Sequence, residues 1–160
     1  MKSPELVSAS SGQVVGSSLR DLPATTRGPR SGTTYLLDTC TFIWLLTGSD
    51  ELSKLALEVG SGRESEIFVS VVSIWELLVK HTLGKLPLPN PPEQKLKEAI
   101  AEMGFVPLEL SLEAVFQLPK LPPVHRDPFD RLLICQSIAG GFTLLTPDPE
   151  IRRYPVLTAW

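Results

Sequence analysis

Short, continuously apolar runs alternate with helical patterns from residue 34 to the end of this chain, and no other feature restricts its fold so strongly. "TTYLLDT" reads as a strand ending at Asp38, "EIFVSVVS" as a β-branched strand buried on both faces, "FVPLEL" as a third and "FTLLT" as a fourth. "YPVLTA" is a fifth strand or an edge strand, because Pro155 cannot donate to a ladder. Between them lie helices. "TFIWLLTG" stops at Gly48, and "SKLALEVGSG" follows. "SIWELLVKHTLGKL" opens at Ser73, keeps an apolar stripe at Ile74, Leu77, Leu78 and Leu83, and ends near Gly84. "PPEQKLKEAIAEMG", "SLEAVFQL", halted by Pro119, and "DPFDRLLICQSIAGG", with a glycine C-cap, complete the set. Strand and helix in alternation mean an α/β sandwich around a mostly parallel sheet of four or five strands with right-handed crossovers. In such a sheet, sites lie beyond the carboxyl ends of the strands.

The bulk properties narrow the function. A length of 160 residues allows one domain, and 42% apolar with 21% charged content is that of a soluble globular chain. Residues 1–33 differ: seven serines, four glycines, three prolines and no aromatic residue cannot bury enough surface to offset their ordering entropy, so a disordered extension is expected there. Residues 34–160, the expected domain, carry a net charge of −5, which argues against nucleic-acid binding through a broad basic face. Cys40 and Cys135 lie far apart in apolar segments and offer neither a disulfide framework nor a zinc motif. With no run approaching the roughly 20 apolar residues of a membrane span and no signal-like N-terminus, a cytoplasmic location is expected.

Five acids stand where the strands end. Asp38 closes the first, Glu76 follows the second in "SIWE", Asp127 and Asp130 open the helix "DPFDRLLICQ", and Asp148 follows the fourth in "LLTPD". Each has an ordinary explanation. Asp38 is a possible N-cap, Ser73 and Glu76 have capping-box spacing, Asp127 with Pro128 and Asp130 forms a capped helix start, and "TPDPE" is a turn. Capping does not explain why all five fall at one edge of the sheet. Carboxylates gathered there repel one another, and some hold protons at neutral pH unless a cation is supplied. Hard oxygen ligands suit Mg²⁺ or Mn²⁺; His81 and His125 are too few and too far from ligand spacing for zinc.

"YLLDTCTFIWLL", "VSVVSIWELLVKHTLGKLPLP", "HRDPFDRLLICQ" and "LLTPD" resemble, in order, the motifs of PIN-domain ribonucleases of the VapC type, toxins of bacterial toxin–antitoxin pairs. The likeness covers residues 34 to about 157. It implies a three-layer α/β/α sandwich and an Mg²⁺- or Mn²⁺-dependent endoribonuclease. It also implies an RNA substrate, a cognate VapB-like antitoxin and a homodimer. Its acids match Asp38, Glu76, Asp130 and Asp148, with Asp127 as an additional acid of this subgroup. Cys40 stands where a histidine or another small residue is more frequent, and residues 1–33 have no counterpart. Lys80, Arg126 and Arg131 are candidate phosphate contacts, with His125 a further one.

Other classes fit less well. A haloacid-dehalogenase-like phosphatase needs an aspartate where Cys40 stands, and a phosphoacceptor receiver needs an acidic pair where "TTYLLD" supplies Asp38 alone. A catalytically silent PIN-like scaffold does not need all four acids. Phe42 to Leu46 place five apolar side chains in five residues and Trp75 adjoins Glu76, more than one buried helix face holds. Part of that surface is expected to form a homodimer face and part a groove for an amphipathic antitoxin segment.

Overall fold

In the computed structural model, which describes residues 32–62 and 65–160, strand β1 (Thr34–Leu37) lies at the centre of the sheet. It pairs in parallel with β2 (Glu66–Ser70) on one side and β4 (Thr143–Leu145) on the other. Successive residues of β1 feed opposite layers: Leu36 packs in one core and Leu37 in the other, both fully buried. That is why its sequence shows no polar alternation.

Among the described residues the sheet has five strands in the order β3-β2-β1-β4-β5, all parallel, with β3 (Val106–Leu108) and β5 (Thr158–Ala159) at its edges. Pro107 sits in an edge strand, where a missing N–H is tolerated. Helices α1 (Thr39–Thr47), α2 (Lys54–Ser61), α3 (Val71–Thr82) and α4 (Pro92–Glu102) cover one face around Phe42, Val69, Leu77, Leu96, Ile100 and Leu145. The short α5 (Leu112–Val115), α6 (Pro128–Gly140) and a 3₁₀ turn at Ile151–Arg153 lie beyond β3 and β4, and the other core gathers Leu36, Leu133, Ile134, Leu144, Ile151 and Tyr154. The result is the expected three-layer α/β/α sandwich. The chain winds from β1 outward to β3, then crosses back to β4 and β5, so strand order reverses between β1 and β4. A crevice at the carboxyl ends of those two strands is where such a fold places its ligands.

Several boundaries differ from the sequence reading. The second strand ends at Ser70, and Val71 to Ser73 already belong to α3. Ser70 caps that helix by accepting from the Val72 N–H at 3.0 Å while its hydroxyl donates to the buried Gln136, so a cap overrides the strand preference of the two valines. The expected capping box of Ser73 and Glu76 therefore does not exist, because both lie inside the helix. "YPVLTA" contributes two strand residues. Gly48 and Gly141 end α1 and α6 at φ 63° and 68°, the left-handed geometry a C-cap glycine provides.

Of the five apolar residues from Phe42 to Leu46, Phe42 is fully buried and the other four are half-buried. Trp44 packs on Trp160 with ring centroids 5.9 Å apart. Trp75 remains 63% exposed. Among the described residues no helix is long and apolar enough to cross a membrane. The expected extension, residues 1–33, lies outside the described residues except for its last two positions.

Candidate active site

Asp38, Glu76, Asp127, Asp130 and Asp148 line one cavity of about 280 Å³ together with Thr39, Cys40 and Lys80. The fold assembles them from four segments. Asp38 follows β1, and its own N–H donates to Leu145 O of β4 at 3.2 Å. It is the N-cap of α1 without using its carboxylate as a cap. That carboxylate instead accepts from the fully buried Thr146 hydroxyl at 2.5 Å and from the Cys40 thiol at 3.4 Å. Burial pushes the Asp38 carboxyl up, and these hydrogen bonds only partly counter the rise. The Cys40 thiol is itself pushed well up by burial and by the Asp38 charge, so it is a small polar wall and no ready nucleophile.

Glu76 arrives from the second turn of α3. Thr39 Oγ1 donates to Ser73 Oγ at 3.0 Å, a buried bond that ties the start of α1 to α3 one turn ahead of Glu76. Glu76 Oε1 receives the Lys80 ammonium at 2.5 Å, the helical i to i+4 pairing. Burial alone would lower the Lys80 amine; the Glu76 bond and charge outweigh it and raise it. Glu76 Oε2 is buried with no hydrogen-bond partner among the described residues. A carboxylate oxygen in that position costs free energy unless something outside the chain binds it.

The "DPFD" start of α6 forms as read. Asp127 Oδ1 accepts from Phe129 N–H at 2.8 Å, Pro128 takes the first helical position, and Asp130 lies in the first turn. Asp127 thus caps while lining the cavity. Asp130 is pushed up to about 7, by burial first, then by the charges of Asp38, Asp127 and Glu76, with only His125 opposing. Asp148 lies past β4, its N–H given to Thr146 Oγ1 at 3.1 Å and its Oδ1 taken by Glu150 N–H at 2.7 Å.

Of the basic candidates, Lys80 alone lines the cavity. Arg131 turns to the preceding loop, with Nη1 3.3 Å from His125 O and a longer 3.5 Å from Pro122 O. Arg126 is exposed. His125 occupies a more central position than the sequence suggested: its Nε2 is 3.2 Å from Asp148 Oδ2, 3.3 Å from Asp130 Oδ2 and 3.7 Å from Glu150 Oε2. The structure also brings Thr146 and the Thr39–Ser73 pair to the site. All three carry a signal, polar residues flanking acids at strand ends, which a residue-by-residue capping reading passes over. His81 is remote from this chemistry, its Nδ1 accepting from Leu88 N–H at 3.2 Å.

The donor set fits a hard divalent cation. The acids lining the cavity offer carboxylate oxygens, one oxygen is orphaned, and burial with the neighbouring acids raises the Asp130 carboxyl to about 7.

A family model described as PIN domain matches residues 35–157. No curated protein matches the chain by sequence. Among solved structures, VapBC2 from Rickettsia felis, bound to a DNA fragment from its promoter, superposes with a TM-score of 0.61 at 19% identity, covering 80% of this chain and 99% of that one. DNA-bound VapBC from Salmonella typhimurium gives 0.54 at 15% identity, covering 80% and 98%. FitAcB from Neisseria gonorrhoeae gives 0.54 at 13% identity, covering 78% and 95%. At these identities the superpositions speak for the fold.

Proposed function

This chain belongs to the PIN-domain family, and from that premise we propose that it is a metal-dependent endoribonuclease, the toxin of a VapBC-type pair, acting on RNA in the cytoplasm. The observation that carries this reading is the convergence of five carboxylates on one cavity, with Glu76 Oε2 buried and unpartnered inside it. Residues 34–160 form the nuclease domain and residues 1–33 an extension to it.

Asp38, Glu76, Asp130 and Asp148 would hold Mg²⁺ or Mn²⁺, with Asp127 beside them. When bound, the ion supplies a water of lowered pKa and neutralises charge on a scissile phosphodiester. The chain's own groups do the rest. Thr146 holds Asp38 from behind, leaving its remaining lone pairs toward the cavity. Lys80 neutralises one oxygen of Glu76 and, nearly half exposed, offers a cation to an approaching phosphate. Arg126, exposed and adjacent to Asp127, offers a second; Arg131 braces the 122–125 loop. Local positive charge lets a polyanion approach a domain whose net charge is −5.

The partner reading rests on a second cavity. An apolar groove of about 500 Å³ runs between α1 and α4, lined by Ile43, Leu46, Leu86, Leu88 and Leu96, and it shares Ile43 and Leu86 with the acidic cavity. An amphipathic antitoxin helix fits such a groove, and a basic side chain beyond it would reach the carboxylates. The exposed Trp75 and Val71, on α3 beside Glu76, are proposed for the homodimer face.

The test is RNA cleavage in Mg²⁺, in excess EDTA, and by Asp38→Asn. Activity in Mg²⁺ alone, lost with the chelator and the variant, supports the reading; full activity in the variant at matched circular dichroism sinks it. Co-expression with the product of an adjacent small gene tests the pair. Failure to co-purify, or a complex as active as the free protein, leaves a PIN-type nuclease without the antitoxin.

A further inference from the structure

His125 shares with Asp130 and Asp148 a cluster whose ligand atoms lie within 4.8 Å of one another, a spacing at which a metal could take all three. The hydrogen bonds around the ring assign it another task. Asp127 N–H donates to His125 Nδ1 at 3.1 Å. A backbone N–H cannot turn round, so Nδ1 must present its lone pair, and the ring hydrogen must sit on Nε2. A nitrogen that carries hydrogen has no lone pair for a metal. It is a donor, its hydrogen bond goes to Asp148 Oδ2 at 3.2 Å, and Asp130 Oδ2 stands 3.3 Å from the same nitrogen.

The ring is also held in place from its backbone. His125 N–H donates to the hydroxyl of the buried Tyr154 at 2.6 Å, and His125 O accepts from Arg131 Nη1 at 3.3 Å. The imidazole side chain is 13% exposed. Asp127 therefore acts twice: its carboxylate caps α6, and its N–H fixes the tautomer of the ring two residues before it.

We propose that His125 is a positioning residue of the metal site, a fixed Nε2–H donor that holds Asp148 with Asp130 alongside, and not a metal ligand. The proposal rests on the metal-dependent reading of the cavity and adds a residue to it. One hydrogen bond from the ring sets the Asp148 carboxylate beside that of Asp130. Partners that orient metal ligands in this way typically change metal affinity by about 10–100-fold when removed.

The experiment is Mn²⁺ binding followed by electron paramagnetic resonance on the full chain, with His125→Gln and His125→Ala, alongside nitrogen–proton correlation spectra of the imidazole in the metal-free protein. The expected results are an Nε2–H tautomer, bound Mn²⁺ without the coupling of a directly coordinated nitrogen, and affinity about 10-fold weaker in His125→Ala. His125→Gln, which retains an N–H at a similar reach, should recover most of that loss. A directly bound imidazole nitrogen, the opposite tautomer, or an alanine variant that binds Mn²⁺ like the wild type would overturn the proposal while leaving the metal reading in place. Wild-type protein that binds no Mn²⁺ would remove both. The tautomer is read without any variant, so poor folding of His125→Ala does not shelter the idea.

Discussion

Helices α3 and α6 each deliver a carboxylate to the same cavity, by opposite means. Glu76 comes from inside α3, a turn and a half past its Ser70 cap, with a cation on one oxygen from its own helix. Asp130 comes from the first turn of α6, without an ion pair to Lys or Arg among the described residues, and burial and like charges push its carboxyl up to about 7. The first arrangement is balanced in charge when empty, with one oxygen left unsatisfied; the second is balanced only when something positive arrives. The contrast shows where the fold holds its readiness to bind, at the α6 end, where the helix N-terminus makes an uncompensated carboxylate tolerable.

The comparison can be broken most directly through activity. Asp130→Asn and Asp38→Asn should each reduce metal-dependent RNA cleavage by about 100-fold or more, at least the top of the range for residues that merely orient ligands. Residual rates within a few-fold of wild type would place the chemistry elsewhere.

Stability of the metal-free protein separates the two helices next. Asp130→Asn relieves repulsion and should raise the melting temperature at pH 8 by about 3 °C, the scale of roughly 1 kcal/mol for a chain of this size. Glu76→Gln should lower it, because Lys80 loses its partner and a buried amide gains donors with nothing to bond. Shifts of the same sign would show that the α3 and α6 acids are not differently balanced.

The pH dependence sharpens the same point. A carboxyl whose folded pKa is raised binds more protons folded than unfolded, so its contribution is fully present below the usual Asp range and is lost as pH rises through about 7. Burial raises Asp38 in the same direction. The metal-free protein should therefore lose melting temperature between about pH 5 and pH 8, and Asp130→Asn should flatten that slope. Among the caps, Ser70→Ala should cost about 1–2 kcal/mol by thermal unfolding, because it removes the cap and leaves the buried Gln136 Oε1 without its donor; the smallest effect is that of Asp127→Asn, which keeps an acceptor for Phe129 N–H.

How far the sequence could be read follows from the same two helices. The start of α6 was legible because a cap, a proline and an acid stand in consecutive positions whose roles are local. The start of α3 was not. Ser70 and Ser73 are both plausible caps, and what selects Ser70 is its bond to Gln136, 66 residues away, together with the Thr39–Ser73 bond across 34. The α/β class came through because it depends on alternation alone. The central place of His125 did not, since nothing local says that the loop after Pro123 folds back over Asp148, where Tyr154 and Arg131 hold it. Thr146 was hidden for the same reason, its partner being Asp38.

That last bond joins residues 108 positions apart. β1 emerges early from the ribosome, yet its neighbour β4 is among the last elements made, and pairing at such separation is slow. Until β4 docks, Asp38 lacks the hydroxyl that orients it, and Asp148 has not yet reached the crevice. A nascent chain of this design carries most of its acids for most of its synthesis without a complete site. A ligand of the crevice thus meets a complete site only once β4 has joined the sheet.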